Sequence, residues 1–70
     1  METEIYESDP FTAKRQELLV RLTSVYRFEK GDELYLHRGE GGPLKIRLID
    51  VQMHVQSDGR LTREILALKV

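Results

Sequence analysis

Seventy residues without a cysteine leave room for one hydrophobic core and no disulfide to brace it, which excludes a multidomain chain and a disulfide scaffold. A net charge of −1 and a pI near 6.1 lack the strong basic balance of a typical nucleic-acid binder, and no run approaches the ~18 apolar residues of a membrane span. With no cysteine, and with an opening Met1-Glu2-Thr3-Glu4 that has neither a basic start nor an apolar stretch, the expectation is a cytoplasmic protein.

The charge is unevenly spread. The first ten residues hold Glu2, Glu4, Glu7 and Asp9 and no base, whereas the remaining sixty hold all eleven bases against eight acids. Residues 1–9 are therefore expected to form a solvated, disordered acidic arm ahead of a single small β domain over 10–70. The alternative is an arm that folds back over the basic face.

Asp9 can accept hydrogen bonds from the free amides of a helix start, and Pro10 suits the first helical position. Good helix formers follow, so the sequence predicts a short helix over residues 10–17. From Leu18 to Phe28 the chain is rich in β-branched and aromatic residues and reads as a long first strand. Alternation puts Val20, Leu22, Tyr26 and Phe28 inward and Arg21, Thr23, Val25 and Arg27 outward.

Lys30-Gly31-Asp32 reads as a three-residue hairpin loop in which glycine supplies a positive φ. The second strand, Glu33 to Arg38, then turns Leu34 and Leu36 inward and Tyr35 and His37 outward. Gly39 to Pro43 is too rich in glycine for regular structure and reads as a hairpin loop, with Pro43 at a strand entrance. No helix is expected to follow it, so it lacks the context of a phosphate-binding loop.

The third strand, Leu44 to Val55, changes its buried face. Leu44, Ile46 and Leu48 share one phase, while Ile49, Val51, Met53 and Val55 share the other. A regular strand cannot do this, so a bulge or bend is expected at Leu48-Ile49. Reading Asp58-Gly59 as a two-residue turn places Val51 opposite Leu66 and Ile49 opposite Leu68 on the last strand, Arg60 to Val70. Glu64 then falls beside Met53 on the apolar side, as at a barrel rim. The predicted fold is mainly β: a four-stranded antiparallel meander curled into a small SH3-like or OB-like half-barrel with an N-terminal helix.

No catalytic, metal or nucleotide motif stands in the chain. His37 and His54 fall on different predicted strands without an evident third ligand, and neither Ser24 nor Ser57 has a neighbouring histidine and acid. The expected function is non-catalytic and without cofactor: a protein-interaction or assembly module that binds another protein or a second copy of itself. Self-association through the last strand would use Ile65, Ala67 and Lys69 as an edge and make a homodimer. The alternative is nucleic-acid binding by an outer face on which Arg27, Tyr35 and Arg47 form one row and His37 and Lys45 the next, with Arg21 extending the patch.

Overall fold

The structure is a computed structural model that describes all residues, Met1–Val70. It is mainly β and contains no helix. Five strands form one mixed sheet curled into a half-barrel: β1 (Glu2–Ser8), β2 (Arg15–Thr23), β3 (Glu33–Leu36), β4 (Leu44–Val55) and β5 (Leu61–Lys69), in the order β2-β1-β5-β4-β3.

The acidic opening segment is a strand and not a solvated arm. Its alternation supplies the reason. Thr3 and Ile5 are fully buried on the inner face, while Glu2 and Glu4 turn outward. β1 lies antiparallel to β2 and parallel to β5, with Ile5 opposite both Val20 and Ile65. Its acids meet bases of the body: Arg21 Nη2 lies 2.6 Å from Glu4 Oε2, and Lys69 Nζ lies 3.6 Å from Glu7 Oε1. The uneven charge along the chain is thus resolved as pairing between the first strand and its neighbours.

The predicted helix at residues 10–17 is absent, although its capping chemistry is present. Asp9 Oδ1 accepts hydrogen bonds from the amides of Phe11 (2.8 Å) and Thr12 (2.9 Å), and the Asp9 carbonyl accepts from Ala13 (3.0 Å). Ala13 then adopts φ 56°, a left-handed conformation that ends the turn, and the chain reverses into β2. One helical turn does the work of a hairpin loop.

The bulge expected in the third strand is present. Leu48 pairs with Ala67 and Asp50 with Leu66, so Ile49 is the extra residue, and the buried face shifts from Ile46 and Leu48 to Val51. The last turn differs. Gln56 N–H donates to the Arg60 carbonyl (2.8 Å) and Gly59 N–H to the Gln56 carbonyl (2.9 Å), with Gly59 at φ 89°, which makes a three-residue loop of Ser57-Asp58-Gly59. Val51 therefore faces Ile65, one residue from the expected partner. A slip of one residue turns every side chain of a strand to the other face. Arg63, Ile65 and Ala67 point inward; Glu64, Leu66 and Leu68 point outward.

Residues 24–32, expected to finish a strand and its turn, instead cross from β2 on one rim to β3 on the other. This strap lies over the inner face and carries Phe28 against the core of Ile5, Ile46, Leu48, Ile65 and Ala67. Arg63 holds it. That side chain, 6% exposed, donates from Nε to Thr3 Oγ1 (3.0 Å), from Nη1 to the Tyr26 carbonyl and from Nη2 to the Ser24 carbonyl (3.2 Å). Its guanidinium stacks 4.9 Å from the centre of the Phe28 ring.

Arg63→Ala should lower stability by about 2–4 kcal/mol in urea unfolding, because buried acceptors left without a charged donor each cost ~1–3 kcal/mol. Arg47→Ala, on the exposed face, should shift the midpoint far less. Protease nicking within residues 24–32 should rise in the Arg63 variant only.

Candidate functional site: the open side of the last hairpin

The outer face is built of matched charges. Arg47 reaches Glu33 Oε2 from Nε (3.0 Å) and Nη2 (2.7 Å), and Lys45 Nζ lies 3.3 Å from the other carboxylate oxygen. Arg21 Nε donates to Glu4 Oε2 (2.9 Å), Arg15 clasps Glu64, and Arg60 lies 2.9 Å from Asp58. Glu4 and Glu64 sit directly opposite each other on parallel strands, so the two arginines also offset a repulsion between like charges.

The residues expected to make a basic row are separated. Tyr35, Lys45 and Arg47 do share the outer face, and Lys45 Nζ stands 5.7 Å from the Tyr35 ring centre, but Tyr35 lies opposite Lys45 and not Arg47. The reason is a seven-residue connection, His37 to Pro43, where five were expected. His37 is therefore in the loop. Arg27 lies in the strap, 3.5 Å from Glu29, and Arg21 lies on β2 at the far rim of the sheet.

The expected self-association edge is also corrected. β5 is the central strand, hydrogen-bonded to β1 on one side and β4 on the other, and Ile65 and Ala67 are 0% exposed. Lys69 ends that strand beside Glu7. Ile65 and Ala67 face the interior because of the longer last turn, while Lys69 is exposed.

The free edges lie elsewhere. β2 is a rim strand interrupted by two extra residues, at Leu19 and within Gln16-Glu17, where its pairing to β1 shifts, and such bulges blunt an edge. β3 is four residues long and covers β4 only from Leu44 to Arg47, while Gly31 and Asp32 bond Leu48. Beyond Ile49, β4 has no neighbour on that side. The Gln56 to Arg60 bond, continued by antiparallel alternation, assigns residues 50, 52 and 54 to the β5 ladder. The N–H and C=O groups of Val51, Met53 and Val55 therefore point to the open side.

The inner surface of this stretch is apolar and uncovered. Met53, Val55 and Leu61 are 51%, 71% and 47% exposed on the same face, with Met53 opposite Arg63 and Val55 opposite Leu61. The Tyr26 carbonyl of the strap is held by Arg63, the residue opposite Met53, and the Tyr26 ring, 57% exposed, packs 4.8 Å from Phe28 at 66°. Val25 beside it is almost wholly exposed. An unpaired ladder and an apolar shelf thus coincide on one hairpin. The inward phase of Met53 and Val55 was legible in the sequence; that nothing covers them was not.

A polar hollow of about 200 Å³ on the outer face is lined by Glu4, Arg15, His54, Thr62 and Glu64 among others. His54 Nε2 stands 3.5 Å from Glu64 Oε2, but Glu64 is already bound to Arg15. The ion pairs occupy the acids that would serve as bases or ligands there.

Comparison of the chain with protein-family models, curated proteins and solved structures finds no match. No helix is long and apolar enough to cross a membrane.

Three carboxyls are held below their ordinary values. Hydrogen bonds from Arg47 and then Lys45 depress Glu33, the Arg21 hydrogen bond depresses Glu4, and the amides of Thr12 and Phe11 depress Asp9. A carboxyl depressed in the folded state stabilises the fold above its ordinary value, here 4.5 for Glu33 and Glu4 and 3.8 for Asp9, and that contribution fades as pH falls through the lowered value. Stability should be level above about pH 5 and decline below it. Glu33→Gln should make the acid limb of a stability-versus-pH curve shallower, which urea midpoints at a series of pH values measure.

Proposed function

We propose that this chain is a small non-catalytic protein-interaction module that makes contact through the open side of the β4–β5 hairpin. The observation that carries the reading is the coincidence of unpaired backbone groups at Val51, Met53 and Val55 with the exposed apolar shelf of Met53, Val55 and Leu61. Apolar side chains gathered on one face and left open to water mark contact surfaces, and a free strand edge supplies ordered donors and acceptors to a partner.

The neutralised outer face supports the same choice over nucleic acid. Of the four expected contact arginines and lysines, Arg21, Arg27, Lys45 and Arg47 all have a carboxylate within reach, so a phosphate would compete with an intramolecular partner at each. Tyr35 remains as an exposed ring whose basic neighbours, Lys45 and Arg47, are both engaged by Glu33. The chain should flow through a heparin or single-stranded DNA column at low salt; retention that falls steeply with added salt would favour the nucleic-acid reading.

The direct test is capture from native lysate by the immobilised chain and two variants, read by mass spectrometry. Val55→Asp should abolish capture of the wild type's specific partner while leaving the urea midpoint nearly unchanged, and Arg47→Glu should retain it. Capture that survives Val55→Asp and fails with Arg47→Glu would move the contact surface to the outer face.

A further inference from the structure

We infer that the partner taken up by the free edge of β4 is a second copy of this chain, paired antiparallel along the same edge. The inference rests on the hairpin surface proposed above and names its occupant. β4 offers the longest unblunted edge in the sheet, since β2 is interrupted by extra residues and β3 ends after four. That edge is complementary to itself. In an antiparallel pair about a two-fold axis at Met53, Met53 of one copy lies opposite Met53 of the other, and Val51 of each lies opposite Val55 of the other.

All three residues present unused backbone groups, so each opposed pair exchanges hydrogen bonds, and all three turn apolar side chains to the inner face. On the outer face Gln52 meets His54 and Asp50 meets Gln56. No like charges stand opposite each other, the condition under which edge pairing is not opposed. The exposed sides of Met53 and Val55 become covered, and two small cores gain a shared sheet. An isologous contact of this kind closes at two copies. A membrane surface fits less well, since the bases next in sequence to Leu61 and Tyr26 are already paired with acids, Arg60 with Asp58 and Arg27 with Glu29.

The intact chain, which has no cysteine, allows a direct test. Residues opposed in a hydrogen-bonded antiparallel pair have Cα atoms about 5.5 Å apart, inside the ~4.4–6.8 Å that a disulfide spans. Met53→Cys should oxidise to a dimer at least tenfold faster than Thr23→Cys on β2. Light scattering of the wild type should rise with concentration from 8.2 kDa toward twice that mass. Met53→Lys, which opposes two ammonium groups on the axis, should stay monomeric while keeping the wild-type circular dichroism.

A wild type that remains monomeric at millimolar concentration, a dimer untouched by Met53→Lys, or equal oxidation of the two cysteine variants would overturn the pairing. Loss of lysate capture in Val55→Asp alongside a strictly monomeric chain would leave the hairpin surface standing with a different protein on it.

Discussion

One side chain, Arg63, ties the two halves of this molecule together. The β1–β2 hairpin and the β3–β4–β5 meander meet along the parallel seam between β1 and β5, and the guanidinium spans that seam from β5 to Thr3 of β1. From the same position it holds two carbonyls of the strap and stacks on Phe28. No carboxylate shares this site; its acceptors are a hydroxyl, two peptide carbonyls and a ring face. Neutral acceptors keep the charge hydrogen-bonded without fixing an acid in the interior, which limits the desolvation cost to one ion. Arg63 holds the middle of the strap, between the Ser24 amide on the Met1 carbonyl at one end and the bonds of Gly31 and Asp32 to Leu48 at the other.

The position of Arg63 depends in turn on one residue in a turn. A two-residue connection at Asp58-Gly59 and a three-residue connection at Ser57-Asp58-Gly59 use the same letters. Glycine at positive φ suits both. The two differ by one step in register and therefore exchange the faces of β5. The misfit was visible in the shorter reading, which set Glu64 beside Met53 on the apolar side. Moving one step puts Glu64 outside, where Arg15 meets it, and brings in an arginine whose long stem can lie along the core.

The rest of the architecture was legible to different depths. The bulge at Leu48-Ile49 followed from a change in phase that no regular strand tolerates, so the sequence carried it strongly. The identity of the strands from Glu33 onward followed from alternation and turn residues. The first strand was hidden because its acids read as solubility, and Ile5 is the one apolar side chain that it buries in the core. Asp9-Pro10 offered a true capping site, but capping chemistry is shared by a helix and by a single turn, and Ala13 at a left-handed φ decides between them. The parallel pairing of β1 with β5 joins the two ends of the chain, and no local pattern encodes such a contact. For the same reason the last strand looked like an edge. In the sheet it is the centre, and the exposed edge passes to the far half of β4.

The contact surface follows from this arrangement. Because β3 is short and β5 is enclosed, the β4–β5 hairpin projects with one side of its ladder open and its inner face partly bare. The charged outer face, by contrast, is satisfied within the chain. Solution NMR of the labelled chain tests the root of the account most directly: the Nε–H of Arg63 should be protected from solvent exchange and show cross-peaks to Thr3 and Phe28. A rapidly exchanging Arg63 with cross-peaks to His54 and Gln52 would place it on the outer face, and the register, the strap and the open shelf would all have to be redrawn.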